Sequence, residues 1–300
     1  VRPHSCEWYN ICLLCVRNHF QALTLFDDIL VDLLNIALPF LYLGVVWVYG
    51  KAFFADSSPA KRWKSRLLSA VVLIHAVYLA ARTVEFRHPP ATTIFEILSL
   101  LAFSVALTYQ VIELRTKTRE TGYFILNIAF FFQLGSSLFI QDLREVPEIL
   151  RSNLFGLHVT AALLGYAAIT ISAVYGFLFL MLYHEIKANR FGVIYKKLPN
   201  LETLEKMSFT AVQLAFLLLG VAIAAGFIWL PQAFTDFSYA DPKLIGTIAV
   251  WGLYGIGIVA KQAGGWRGRR LMVLSLLGFV IALFSLTFIN LFLSGFHNFS

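Results

Sequence analysis

Eight long apolar stretches, near residues 31–49, 67–84, 92–112, 122–140, 155–183, 209–230, 244–260 and 271–295, leave this chain few ways to fold. Each is long enough for a helix crossing ~30 Å of hydrocarbon at ~1.5 Å per residue. With 59% of its 300 residues hydrophobic and 14% charged, the chain carries too little polar surface for a water-soluble globule. Lipid offers backbone groups no partners, so only helices or a closed barrel can span it, and the alternation over roughly ten residues that a barrel strand needs is absent. The sequence predicts an all-α, polytopic membrane protein with about eight transmembrane helices. Pro39 interrupts the first span, and the seventh is short and glycine-rich.

The net charge of +7 raises nucleic acid as a partner, but its distribution argues against it. Lys51, Lys61, Arg62, Lys64 and Arg66 fill one connection; Arg115, Lys117 and Arg119 the next but one; Lys187, Arg190, Lys196, Lys197 and Lys206 a third; Lys261, Arg267, Arg269 and Arg270 the last. The intervening connections hold only Arg82, Arg87, Arg144, Arg151 and Lys243. Basic residues thus alternate with the spans. The positive-inside rule reads this as both termini on the extracytoplasmic side and connections 50–66, 113–121, 184–208 and 261–270 in the cytoplasm. The expected location is the inner (cytoplasmic) membrane, multi-pass, with no nucleic-acid partner.

No period of twenty to fifty residues repeats, and no Pro-, Gly- or Ser-rich linker divides the spans, so residues 29–300 read as a single membrane domain. Residues 1–28 look unlike the rest and read as an N-terminal tail. Cys6, Cys12 and Cys15 all lie there, so no disulfide framework supports the bundle. Two readings stand for Cys12-x-x-Cys15: an extracytoplasmic redox pair, or plain residues of a loose tail.

His158, in FGLHVTAALLGY, lies a few residues inside the fifth span, and His297 closes the last; the predicted topology puts both at the outer face. A neutral imidazole can ligate iron from either side of a haem, so two histidines on one face point to haem handling, with an interfacial hydrogen bond as the competing reading for each. His75 sits near the middle of the second span, where ionisable groups are costly and face the bundle interior. It reads as an intramembrane haem ligand, a proton-bearing group, or a histidine bonded to a neighbouring helix. Glu96, near the outer end of the third span, would bond a histidine or position an outer loop; His88, before Pro89 and Pro90, reads as a solvated loop residue. Trp229, Trp251, Phe234, Phe237 and Tyr239 surround the connection between spans six and seven, either as a porphyrin-facing surface or as an interfacial aromatic belt. Arg82, Arg87, Arg144, Arg151 and Lys243 are candidates to pair with propionates, or plain loop charges. There is no HExxH, Walker loop, GxSxG or CxxCH, and the last absence excludes a c-type cytochrome by the usual attachment motif.

Over residues 66–300 the chain resembles the cytochrome c assembly protein family of the CcsA/ResC and HemX type. RTVEFRHPPATTIFEILSLLAF is similar to the family's outer turn with a proline, a small polar pair, an aromatic and a helical Glu. FGLHVTAALLGYAAITISAVYGFLFLMLYHEIK resembles its histidine-led helix, LPNLETLEKMSF its connection to the next span, and NLFLSGFHNF its closing Gly-x-His segment. Residue by residue, His158 and His297 match the outer pair and Gly226 and Trp229 the Gly-x-x-Trp before the loop. Asp241, Pro242 and Lys243 match the loop's Asp-Pro-Lys ending, and Trp251 the tryptophan of the following span. His75 is similar in position only to a transmembrane histidine. Where full assembly proteins carry Trp-Gly-x-x-Trp-x-Trp-Asp, this chain has Phe234-Thr-Asp-Phe237-Ser-Tyr239-Ala-Asp241. Phe and Tyr keep stacking surface but not the indole.

The resemblance implies a haem-binding membrane protein of cytochrome c biogenesis. His158 and His297 would ligate transiently and non-covalently bound haem, beside Trp229, Asp241 and Trp251, for attachment to apocytochrome c. It implies a second membrane subunit as partner. The chain would be either non-catalytic or one part of a cytochrome c synthetase complex, and no residue is singled out as catalytic. The alternative is a HemX-like membrane regulator of haem biosynthesis, acting through the basic connections. A small transporter is a more distant reading, since no inverted repeat is visible.

Overall fold

The computed structural model of the chain describes residues 5–115, 120–142, 153–189, 192–233 and 242–289, with side chains for 29–115, 120–142, 154–189, 192–231 and 244–287. All regular structure in them is helical: α1 (Ser5–Phe54), α2 (Ser58–Phe86), α3 (Ile94–Arg115), α4 (Gly122–Phe139), α5 (Asn153–Lys187), α6 (Val193–Lys197), α7 (Leu201–Ala233), α8 (Pro242–Gln262) and α9 (Arg269–Phe284), which ends in a π-helical turn, Ser285–Ile289. All of these except α6 are long and apolar enough to cross a membrane, so the eight expected spans are present. The backbone of α1 is helical from Ser5 and continues through Pro39 without a break, so its helix begins inside the segment read as a tail. Pro39 is buried among its neighbours, the setting in which a membrane helix tolerates a missing donor.

The helices form two rings of four. In the first, α1 touches α2 and α4, and α3 touches α2 and α4; in the second, α5 touches α7 and α9, and α8 touches the same two. The joint between the rings is chiefly α3 against α5. Helix α5 is the central one: 72% of its most apolar stretch is buried, against 17% for α8. Its AALLGYAAITISAVYG run explains this, because small residues let helices approach closely where no hydrophobic effect drives them together. At Gly165 even a methyl group would lie 2.9 Å from a Leu219 methyl of α7. Deeper in the ring, the Ser172 hydroxyl of α5 lies 3.0 Å from that of Ser208 on α7 and 2.6 Å from that of Ser275 on α9.

Contacts across connections define the two ends of the bundle. At one end Lys197, beyond α5, reaches Asp56 between α1 and α2, and Glu205 at the start of α7 holds Lys261 at the end of α8 and Gly268 just before α9. This is the end rich in basic residues. At the other, Arg82 of α2 reaches Asp142 after α4, and residues from the start of α3, the start of α5, the end of α7, the start of α8 and the π-turn enclose one pocket.

Candidate functional site

His158 lies in that pocket. Helix α5 presents Phe155, His158, Ala162 and Tyr166, and α7 presents Leu219, Ala222, Gly226 and Trp229; both sets follow the three-and-four spacing of one helix face. Leu244 and Thr247 of α8, Leu286 of the π-turn, and Ala91 and Thr92 before α3 complete the wall around a cavity of about 140 Å³. No lining residue carries a formal charge apart from His158 when protonated. Leu230 near the end of α7 and Leu244 near the start of α8, the described residues on either side of the connection 234–241, both line the pocket. The π-turn, a device found often at functional sites, contributes Leu286 to the same wall.

The orientation of His158 is set by α7. Its Nδ1 is 2.8 Å from the carbonyl oxygen of Ala222. A carbonyl only accepts, so Nδ1 donates, and the neutral ring carries its lone pair on Nε2. This is the arrangement by which a backbone carbonyl fixes the tautomer and raises the basicity of a metal-ligating imidazole. Gly226, one turn after Ala222, makes the approach possible: a Cβ there would lie 3.1 Å from Nδ1 and 3.2 Å from Cε1 of His158. One turn further, Trp229 stacks on the imidazole with ring centroids 6.4 Å apart and planes 17° from parallel. Trp229 is 2% exposed and packs on Phe155 at 5.0 Å, so the aromatic wall is fixed by its own surroundings.

The opposite wall is held by charge. The Thr92 amide and hydroxyl donate to Glu96 Oε2 at 2.9 and 2.6 Å, and the Thr93 amide donates at 3.2 Å. The Glu96 amide donates back to Thr93 Oγ1 at 3.2 Å. Thr93-x-x-Glu96 is therefore a capping box, a local signal present in the sequence that the reading of Glu96 missed. The other carboxylate oxygen of Glu96 accepts from Arg82 Nε and Nη2, each at 3.2 Å, while Nη1 reaches Asp142 Oδ1 and Nη2 the Gln141 carbonyl, both at 2.9 Å. Of the two roles expected for Glu96, the structure shows the positioning of a loop, the turn at residues 92–93 before α3. Arg82, a candidate for propionates, is occupied by these carboxylates. His88 departs from expectation: it is 3% exposed, its Nδ1 3.0 Å from the Pro89 carbonyl and its ring against Phe86.

The remaining expected site residues fall elsewhere. His75 is fully buried in the first ring, with Tyr42 Oη 3.0 Å from Nδ1 and Ser99 Oγ 3.0 Å from Nε2. Since Ser99 donates to Gln133 Oε1 at 3.0 Å, its oxygen accepts from His75 Nε2, and Tyr42 donates to Nδ1. Gln133 Nε2 continues the chain to Ser137 Oγ at 3.0 Å. Trp251 stacks on Phe216 at 4.7 Å and donates Nε1 to the Phe216 carbonyl at 3.0 Å, fastening α8 to α7 outside the pocket wall. His158 and Trp229 are thus brought together, whereas His75 and Trp251 are not among the pocket residues. His297 and Asp241 lie outside the described residues. Among the described residues no group of three or more His, Cys, Asp or Glu could hold a metal ion, so the donor this pocket offers is the single imidazole.

Residues 91–297 match the family described as Cytochrome C assembly protein. Among curated relatives, the "Cytochrome c biogenesis protein CcsA" of Guillardia theta is 24% identical over 254 residues, covering 78% of this chain and 84% of its own length. That of Mesostigma viride is 23% identical over 284 residues (86% and 93%), and that of Microcystis aeruginosa 23% over 272 residues (75% and 83%). The family match opens at Ala91 on the pocket wall and closes at His297, leaving α1 and α2, with His75, outside it.

Proposed function

Since the chain belongs to the cytochrome c assembly protein family, we propose that it acts in cytochrome c biogenesis by holding haem non-covalently at the His158 end of the bundle for attachment to apocytochrome c. It is a multi-pass membrane protein with a role in cytochrome c biogenesis. The finer reading has His158 and His297 as axial ligands of the haem iron, Trp229 as a stacking wall, and Asp241 at the end of the adjoining connection.

The observation that carries this reading is the bond from His158 Nδ1 to the Ala222 carbonyl, which directs the basic nitrogen, Nε2, as a metal ligand requires. The uncharged walls suit a porphyrin's apolar rim, and the Gly226 cradle and Trp229 supply a close, flat surface. A cavity of about 140 Å³ takes part of such a ring, and Phe234, Phe237 and Tyr239 in the sequence between α7 and α8 are the aromatic candidates for the remainder. When bound, haem supplies the vinyl groups that become thioethers. The chain's own residues bind and orient it. In this reading the pocket faces the extracytoplasmic side of the inner membrane, and a second membrane subunit completes the assembly. The names of the curated relatives favour this role over the HemX-like regulatory one.

The test is the visible spectrum of protein purified from cells supplied with haem, alongside His158→Ala and His297→Ala. Low-spin bis-imidazole bands are expected in the parent and their loss in each variant. A parent without haem, or variants with the parent's spectrum, overturns paired ligation.

A further inference from the structure

At the basic end of the bundle, far from His158, a second recess is formed by Trp266, Arg267, Arg269, Arg270, Val273 and Leu277. We propose that it binds an anionic phospholipid, with the phosphate among the arginines and an acyl chain along α9.

The loop that forms the head of this recess is fixed from behind. Trp266 N donates to the Ala260 carbonyl at 3.0 Å, and Gly268, at φ +62°, donates its amide to Glu205 Oε2 at 2.8 Å. Lys261 takes the other oxygen of Glu205 at 3.0 Å, so this carboxylate is already used by two partners. Arg267, Arg269 and Arg270 are exposed and, among the described residues, none of them is in an ion pair. There is no acidic residue in the first turn of α9. Three guanidinium groups therefore line one recess on a backbone held in place, and among the described residues none of them is in an ion pair.

The recess is about 630 Å³ and continues from the arginines along Val273 and Leu277, which are 47% and 50% exposed on the flank of a membrane-spanning helix. A charged head above an aliphatic wall matches an amphiphile better than a free ion. Guanidinium forks bond phosphate oxygens in pairs, a geometry an ammonium does not provide, and basic pockets beside transmembrane helices favour anionic headgroups. Trp266 is partly exposed at the same level, as interfacial indoles are.

The test is native mass spectrometry of delipidated protein titrated with phosphatidylglycerol or phosphatidylcholine of the same chain length, with and without inorganic phosphate. At about a kilocalorie of attraction per basic residue, three arginines correspond to a preference for phosphatidylglycerol on the order of 100-fold. Combined Arg267→Gln, Arg269→Gln and Arg270→Gln is expected to abolish the preference with unchanged phosphatidylcholine binding and thermal melting. Should the triple variant fail to fold, Arg267→Gln alone, in the loop, is expected to lower it several-fold. Equal binding of the two lipids by the parent, or a preference unchanged by substitution, overturns the proposal. Displacement of the lipid by equimolar inorganic phosphate overturns it as well, because the ligand is then a soluble phosphate.

Discussion

The imidazole of His158 and the α-carbon of Gly226 approach so closely that a methyl group on Gly226 would lie 3.1 Å from Nδ1. Contact this tight ties the orientation of one side chain on α5 to the absence of another on α7. Gly226→Ala is expected to displace the ring by a few tenths of an ångström and weaken its bond to Ala222. Loss of such a supporting bond typically costs 10–100-fold in metal affinity, so haem affinity should fall roughly tenfold. Alanine favours a helix over glycine by about 1 kcal/mol, so the melting temperature should hold. Haem titration and thermal melting on the same sample separate the two effects, and an unchanged affinity would count against the role given to the Ala222 bond.

Arg82 is 2% exposed and shared between Glu96 and Asp142. Removing one partner of a buried ion pair strands the other, at a cost of about 3–5 kcal/mol. Arg82→Met is expected to destabilise by about that much, and the double variant Arg82→Met with Glu96→Met to recover part of it. Recovery should stop short of the parent because Thr92 and Thr93 lose the carboxylate that caps α3. Denaturant melts in detergent give both numbers. A double variant no more stable than the single would show that Arg82 matters through some other contact.

His75 accepts from Tyr42 and donates to Ser99. Glutamine can repeat both roles, one through its oxygen and one through its amide. His75→Gln is accordingly expected to retain the parent's stability, while His75→Leu leaves the buried Tyr42 hydroxyl without an acceptor and costs about 1–3 kcal/mol, Ser99 keeping its bond to Gln133. Neither change touches the His158 pocket, so its haem bands should be the same in both. Altered bands in the glutamine variant would put His75 back among the haem ligands.

At the basic end, Lys197 and Lys61, each 2.8 Å from Asp56, hold its carboxyl down at about 2. A lowered carboxylate contributes stability above its unfolded value near 4 and loses it as pH falls toward 2. The link between Asp56 and the α6 connection should therefore be flat from pH 5 to 8 and weakened by salt, as exposed pairs are. Asn adopts the left-handed backbone of residue 56 (φ 55°) as readily as Asp, so Asp56→Asn removes the charge alone. Faster hydrogen exchange at residues 193–197 is the expected result, and exchange that varies across neutral pH would contradict it.

What the sequence disclosed follows the range of the forces involved. Span lengths and apolar runs are local, so the eight helices were legible even with Pro39 inside one of them. Resemblance singled out Gly226 and Trp229, which the structure sets beside His158, but not the reason for the glycine, which is a contact between residues 68 apart in the chain. Glu96 shows the opposite failure. Its capping box spans four residues and was there to be read, but a charge within a span drew attention to distant partners instead. Trp251 was assigned by position, whereas its surroundings, Phe216 and the carbonyl beneath it, are fixed by how α8 lies on α7. His88 looked solvated because nothing in its local sequence announces that its side chain is buried.

The His158 pocket takes its floor from one ring of helices and part of its rim, Ala91 and Thr92, from the other. A ligand seated there bridges two bodies, and its binding free energy is also a contribution to their cohesion. By reciprocity, anything that tightens the junction of α3 with α5 raises the ligand's affinity by the same factor that the ligand tightens the junction. Loss of such a ligand would accordingly loosen the α3–α5 junction by the same factor.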